Sequence, residues 1–207
     1  MRSITRQAIY DEVQARGWSY YSLPGKGNAY VVTDNKGRSS IGRGAVFSNS
    51  SRNGSYICMH KNHSYAFLEH IGLRVPDYLV PQDFASALDF LKRNKRIAVK
   101  PVDAEQSKGV TVDVVDEQGL QEAMNIAEEV SKTGEVVLQH QLEGKLYRIL
   151  VVNHQLFAAA YRRAAFVTGD GVSSVMELIN EKNKDPNRSD KDATPLKTIH
   201  LDAVRAH

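Results

Sequence analysis

The sequence is poor in cysteine and contains no long apolar segment, and each scarcity excludes a class of protein. Cys58 is the one cysteine among 207 residues, so no disulfide can form within the chain, and the expected state is a buried thiol in a reducing compartment. No apolar run approaches the roughly 20 residues that a membrane-spanning helix needs. The first residues lack the apolar core of a signal peptide. The sequence therefore predicts a cytoplasmic protein with no membrane partner.

The net charge is also small. Lys and Arg number 27 against 24 Asp and Glu, which gives a formal net charge of +3 that is spread along the chain. This mild excess does not favour a nucleic-acid partner, although it is compatible with a small anionic ligand such as a nucleotide. The apolar share of 42% is that of an ordinary globular protein with one good-sized domain or two small ones.

The motifs of several common cofactor sites are missing as well. The sequence contains no GxxxxGK[ST] loop and no GxGxxG, which sets aside P-loop and Rossmann-type nucleotide binding. The seven histidines show no HxxxH or HExxH spacing, so no metal site is predicted within the chain.

Hydrophobic periodicity and turn residues predict a mixture of helices and strands. The stretch 48–55 is rich in Ser, Asn and Gly and is predicted to be a loop. A hairpin turn is predicted at Asn153-His154, and the capping-box spacing of Ser174 and Glu177 predicts a helix start. The predicted helices cover about 4–16, 62–70, 84–91, 120–127 and 174–182, and the predicted strands cover 18–23, 29–33, 97–100, 110–115, 135–140, 147–152 and 155–161. These elements indicate an α+β fold, with a small front lobe over residues 1–80 and, over 81–207, a module with one sheet and helices on one side.

Two lysines are candidates for binding an anion. Strand alternation predicts that Ala98 and Lys100 share one face of a buried strand. A lysine at the end of such a strand is well placed to contact a phosphate as a point charge, and a solvated lysine is the ordinary alternative. Lys61 precedes a predicted helix, whose N-terminus favours an anion.

Two arginines lie on consecutive predicted strands. Arg148 and Arg162 suit a carboxylate or a phosphate in a cleft, because the planar guanidinium donates two parallel hydrogen bonds. The alternative is that they cover an outer face of the sheet.

Taken together, these features resemble the ATP-grasp family, in particular the ATP-grasp domains of cyanophycin synthetase and of the fused glutamate–cysteine ligase/glutathione synthetase. The resemblance runs from about Tyr56 to Leu201, with its motifs in family order. The earlier motifs are His60-Lys61, Val75-Pro76, Ala98-Val99-Lys100-Pro101, Gly109-Val110, the run 136–139, Gly144 and Arg148. The most specific run comprises Arg162, Ala165, Gly169-Asp170-Gly171, Glu177-Leu178-Ile179, Asn183, Asp185-Pro186 and Arg188.

The resemblance implies a partial ATP-grasp fold, with the front lobe, the N-terminal subdomain and the start of the C-terminal subdomain. It implies that Lys61 and Lys100 contact the phosphates of ATP, under a loop over 102–108. It also implies that Arg148 and Arg162 lie near the transferred phosphoryl group and the acyl phosphate. Glu143 is the expected ribose contact, and backbone groups at 139–141 are the expected adenine contacts. The residues expected at the ATP are Lys61, Lys100, Lys108, Gly109, Gln139, His140, Gln141 and Glu143.

The function that the resemblance implies is ATP-dependent joining of a small carboxylate, an amino acid or a peptide, to an amine. The Mg²⁺ ligands of the family are expected beyond His207, so the intact protein is the expected enzyme and these residues alone are expected to be inactive. Departures from the family at Gln139, at Leu146 and in the acidic loop favour an alternative, a catalytically degenerate module that binds nucleotide weakly or scaffolds a partner. Self-association into a homo-oligomer is left open.

Overall fold

The structure, a computed structural model, describes residues 3–25, 28–105, 107–163, 165–190 and 194–200. The chain divides into two compact units, of which the first comprises the described residues up to Asn49 and from Lys145 onward, and the second is Ser50–Gly144. The boundary predicted near residue 80 falls inside the second unit, and the division into a front lobe and a nucleotide-binding module stays a prediction. None of the described helices combines the length and apolarity that a bilayer crossing requires.

The first unit begins with a helix and a four-stranded antiparallel meander, whose strands follow one another in sheet order. Tyr30, Val13 and Val32 form its buried core. A side chain at Gly42 would place its Cβ 2.4 Å from the Tyr30 ring, so this strand position accepts only glycine. The third and fourth strands were not predicted from the sequence. The elements are α1 (Ile4–Ala15), β1 (Ser19–Ser22), β2 (Ala29–Thr33), β3 (Ser39–Arg43) and β4 (Val46–Phe47).

The second unit is a four-stranded antiparallel sheet in the order β5-β8-β6-β7, with helices packed on one face. Ile97 and Val99 are fully buried in the core, together with Leu138 and Leu120. This confirms the predicted alternation, because Lys100 then lies on the opposite face. The elements are α2 (Arg52–Met59), α3 (Lys61–His70), β5 (Tyr78–Leu79), α4 (Phe84–Asn94), β6 (Ile97–Pro101), β7 (Thr111–Val114), α5 (Glu117–Val130) and β8 (Val136–His140).

Two predictions for the start of this unit are wrong. The stretch 48–55 is not a loop throughout, because α2 begins at Arg52, where the side chain of Ser51 accepts a hydrogen bond from the Gly54 N–H at 3.2 Å. The same serine that suggested a loop is therefore a helix cap. Cys58, expected to be buried, lies exposed on this helix.

The later part of the first unit is a hairpin of β9 (Leu146–Val152) and β10 (Gln155–Arg162), followed by α6 (Val175–Asn183). Asn153 and His154 form the predicted turn, with φ values of 49° and 62° that suit a two-residue hairpin loop. The capping box of Ser174 and Glu177 is confirmed. The hairpin is a sheet of its own, so the single sheet predicted for 81–207 is wrong.

Candidate functional site

Lys100 and Gln139 meet on the face of the second unit's sheet that lies opposite the core. Ala98 pairs with Gln139, and Lys100 pairs with Val137, so Lys100 and Gln139 are diagonal neighbours on strands β6 and β8. The Lys100 ammonium donates a hydrogen bond to Oε1 of Gln139. The Tyr65 hydroxyl, from α3, donates to the same oxygen at 2.7 Å. Two strands and a helix therefore converge on one side-chain amide.

Lys61 is fixed to the chain segment that follows β6. Its backbone N–H donates to the Val102 carbonyl at 2.9 Å. Its ammonium donates to the carbonyl oxygens of Pro101 and Ala104, each at 2.8 Å. Since Pro101 directly follows Lys100, both ammonium groups lie at the same end of strand β6.

The two lysines influence each other electrostatically. Burial lowers the pKa of Lys100 below its ordinary value, and the positive charge of Lys61 lowers it further. Burial also lowers the pKa of Lys61, an effect that the charges of Asp103 and Glu105 oppose. Within the described part of the chain, neither ammonium forms an ion pair with a carboxylate. Two partly buried cations without a carboxylate partner favour the binding of an anion.

The loop between β6 and β7 is held at both ends by contacts within the protein. The Asp103 carboxylate accepts hydrogen bonds from the Ser131 hydroxyl and the Lys132 N–H, both at 3.1 Å, so this acid is tied to the end of α5. Gly109 has a φ of +65°, and a Cβ there would lie 2.9 Å from Cβ of Val130. The glycine is therefore required for backbone conformation and packing, whatever the loop binds. Gln106, within the predicted phosphate loop, lies outside the described residues.

The end of β8 is tied into the sheet. The His140 N–H donates to the Asp77 carbonyl at 2.8 Å, and the Gln141 N–H donates to the Arg96 carbonyl at 3.2 Å. The Gln141 side chain accepts a hydrogen bond from the Asp113 N–H through Oε1 and donates one to the Asp113 carboxylate through Nε2, each at 2.7 Å. Asp113 also forms an ion pair with Arg96. These contacts hold Asp113 at a φ of 60°, where β7 makes an irregular register step against β6. The N–H groups of His140 and Gln141 are thus engaged in the protein itself, and their predicted role at an adenine stays a prediction.

Three other residues that were predicted to bind ATP differ in their exposure to solvent. Nδ1 of His140 is buried and has no hydrogen-bond partner among the described residues. Lys108 and Glu143 are exposed. Their predicted roles, like those of the other site residues, remain predictions.

Arg148 and Arg162 share one face of the β9–β10 hairpin. Arg148 pairs with Ala160, and Arg162 pairs with Leu146, so the arginines are diagonal neighbours across the two strands. Both are exposed and belong to the first unit, whereas the two lysines belong to the second. The strand register therefore aims both guanidinium groups to the same side of the hairpin.

Tyr65 contacts the site but was not singled out from the sequence. It lies on α3 as one aromatic residue of a short helix, and such residues usually pack in a core. Only the position of α3 over the sheet reveals its hydrogen bond to Gln139.

The residues that the structure describes include no group of three or more His, Cys, Asp or Glu side chains that can hold a metal ion.

No protein-family profile matches the sequence, whereas individual proteins match parts of it. The cyanophycin synthetase of Geminocystis herdmanii is 38% identical over 106 residues, which cover 51% of this chain and 12% of that protein. The bifunctional glutathione biosynthesis protein of Listeria innocua is 36% identical over 135 residues, which cover 63% of this chain and 17% of that protein. The chain thus spans less than a fifth of the length of either relative.

A solved structure matches nearly the whole chain. The bifunctional glutathione synthetase of Pasteurella multocida aligns with a TM-score of 0.59 and 26% identity, over 96% of this chain and 27% of that one. The fold is therefore that of part of an ATP-grasp ligase, as predicted. The chain belongs to the ATP-grasp superfamily and is homologous to the ATP-grasp regions of cyanophycin synthetase and the bifunctional glutathione biosynthesis proteins.

Proposed function

We propose that this chain supplies the nucleotide-binding part of an ATP-grasp carboxylate–amine ligase. In that reaction the γ-phosphoryl group of ATP moves to a small carboxylate, an amino acid or a peptide, and an amine then displaces phosphate from the acyl phosphate. The homology to ATP-grasp ligases supports the reaction class. The observation that carries the proposal is the pair of lysines, Lys61 and Lys100, which lie at one end of β6 and have no ion-paired carboxylate among the residues that the structure describes.

The lysine pair fits the charge of a triphosphate. Charge-assisted hydrogen bonds from Lys61 and Lys100 to phosphate oxygens would be stronger than the bonds that these ammonium groups make to carbonyl oxygens and to a neutral amide. The same positive charges would stabilise the negative charge that is redistributed during phosphoryl transfer. Magnesium supplies further neutralisation when it arrives with the nucleotide.

Arg148 and Arg162 are the residues proposed for the transferred phosphoryl group. Two guanidinium groups on one face of a hairpin suit an acyl phosphate, because each offers paired N–H donors. This role rests on the family motif and on the shared face.

Calorimetric titration of the chain with Mg-ATP and with Mg-tripolyphosphate tests the proposal. Replacing Lys100 by alanine is expected to lower both affinities about tenfold or more, since a buried cationic contact contributes more than about 1.4 kcal/mol. Lys92→Ala removes the same charge from an exposed position on α4 and serves as the matched control. Equal affinities of the wild-type chain and Lys100→Ala would show that the lysine pair does not bind the triphosphate.

The second candidate function is a degenerate ATP-grasp module that binds nucleotide without catalysis. The exposed Leu146 favours it, since the family resemblance implies an acid for the ribose at this position. The two candidates differ in turnover. Release of phosphate by the intact protein, dependent on both a carboxylate and an amine, supports the ligase, whereas binding without release supports the module.

A further inference from the structure

Three aromatic side chains meet where α2 ends and α3 begins, within the second unit. The rings of His60 and His63 have centroids 5.2 Å apart. The Tyr56 ring contacts both of them, with its centroid 4.5 Å from that of His60 and 5.6 Å from that of His63. His60 is half-buried and His63 is exposed. The two imidazole rings therefore lie side by side at the surface, and the tyrosine ring supports both.

The His60 ring is oriented by the helix that precedes it. His60 is the N-cap residue of α3, yet its side chain forms no capping hydrogen bond. Its Nδ1 instead lies 2.9 Å from the carbonyl oxygen of Tyr56 in α2. A carbonyl oxygen can only accept, so Nδ1 carries a proton, and Nε2 of the neutral ring has a free lone pair. A hydrogen bond from one ring nitrogen to a backbone carbonyl is the usual support of a histidine that binds metal through its other nitrogen.

The separation of the two rings fits a shared metal ion. A zinc ion lies about 2.0–2.1 Å from an imidazole nitrogen and hence about 3.2 Å from the ring centroid, so two imidazoles at a tetrahedral angle have centroids about 5.2 Å apart. The His60 and His63 centroids have that separation. Among the described residues, neither Nε2 of His60 nor the His63 ring has a hydrogen-bond partner. Both rings are therefore available as nitrogen ligands, at a spacing that differs from the HxxxH and HExxH patterns.

We propose that His60 and His63 together bind one divalent transition-metal ion of the zinc class. Neutral imidazole suits Zn²⁺, Cu²⁺ and Ni²⁺, whereas Mg²⁺ takes oxygen ligands. No third His, Cys, Asp or Glu side chain joins the pair within the described part of the chain, so water completes the coordination. His60 ends α2 and begins α3, and the bound ion therefore connects the two helices. Lys61 lies between the two ligands, so the ion also holds the first turn of the helix that carries this lysine.

Calorimetric titration of the chelator-treated chain with Zn²⁺, without nucleotide, tests the proposal. The wild-type chain is expected to have one tight zinc site. His63→Phe keeps an aromatic ring beside Tyr56 but has no ring nitrogen, and its zinc affinity is expected to fall about tenfold or more. His60→Asn removes the other ligand, leaves a favourable N-cap residue, and should cause a similar loss. His70→Gln is the matched control, since His70 is an exposed histidine in the last turn of α3, and it should bind zinc like the wild type.

Thermal unfolding gives a second measurement, because an ion that binds only the folded chain raises the melting temperature. Zinc should raise it for the wild type and for His70→Gln, and should not raise it for His63→Phe. The proposal would be overturned by a wild-type chain without a tight zinc site, by wild-type affinity in either His63→Phe or folded His60→Asn, or by an equal loss in His70→Gln. Displacement of the zinc by excess Mg²⁺ would indicate oxygen ligands and would also overturn it.

Discussion

The Lys100 ammonium and the Gln139 amide oxygen are hydrogen-bonded across two neighbouring antiparallel strands, although 39 positions separate them in the sequence. Diagonal neighbours on one face of a sheet are within reach of long side chains. The register of β6 against β8 therefore places a cation and an oriented amide in one contact. A shift of that register by one residue would turn one of the two side chains into the core.

The affinity of the chain for an anion should fall as the pH becomes alkaline. Burial and the charge of Lys61 lower the pKa of Lys100, and only the protonated ammonium attracts an anion. The contribution of Lys100 is therefore lost as pH rises, and the loss begins below the ordinary lysine value of 10.5. The measurement is the ratio of tripolyphosphate affinities of the wild-type chain and Lys100→Ala, because this ratio cancels the titration of the ligand. A ratio that stays constant up to pH 10.5 would contradict the lowered pKa.

Gly109→Ala should destabilise the second unit by about 2 kcal/mol, through a positive φ and a contact with Val130 that is too close. Gly134→Ala is the control, because Gly134 has a φ of +74° and open space around it, so only backbone strain of about 1 kcal/mol is expected. Urea unfolding measures both variants. Adding Val130→Ala to Gly109→Ala should show favourable coupling, and strict additivity would contradict the packing explanation.

Gly42→Ala should destabilise the first unit more strongly, by about 3 kcal/mol, because its Cβ would overlap the ring of the buried Tyr30. An aromatic ring packed on both sides cannot move as a flexible side chain does. Tyr20 stacks on one side of this ring, with centroids 5.0 Å apart. Gly37→Ala, in an open turn, is the comparison in thermal unfolding. Equal melting temperatures for the two variants would show that the strand relaxes around the new methyl group.

Asp170 should contribute to stability in a pH-dependent way. Hydrogen bonds from the Ser173 hydroxyl and N–H, and from the Val172 N–H, lower the pKa of this carboxyl from 3.8 to about 2. A carboxyl group whose pKa is lower in the folded than in the unfolded state stabilises the fold at pH values above its unfolded pKa. This contribution is lost as the pH falls from 3.8 to about 2. The melting temperature of Asp170→Ala should therefore lie below the wild type at neutral pH and approach it in acid. A difference that does not change with pH would contradict this linkage.

The parts of the fold that were predicted from the sequence have strong local signals. The periodic residues Leu120, Ala123, Met124 and Ala127 are all buried on α5, since a helix with one apolar face has one way to pack. The turn at Asn153-His154 was predictable because few residues adopt two successive positive φ values.

The parts that were missed depend on partners distant in the sequence. Strand β3 contains Ile41 as its one large apolar residue and exists because β2 and β4 pair with its two edges. Sequence motifs predict a phosphate site at Lys61 and Lys100, and this stays a prediction. The carbonyl partners of Lys61 and the contact of Tyr65 with Gln139 arise only from tertiary packing. Every residue has a backbone carbonyl, so the sequence does not indicate which residue will accept a bond from a given side chain.

The Lys61 ammonium donates two of its three N–H groups to carbonyl oxygens of the segment after β6. In the proposed site, the third N–H group can donate to a phosphate while both carbonyl bonds stay in place. Removing Lys61 releases this segment in addition to deleting a cation. In the proposed site the two lysines would therefore differ: Lys100 would contribute to how tightly the anion is held, and Lys61 would also connect the anion to the chain segment that leads into the loop.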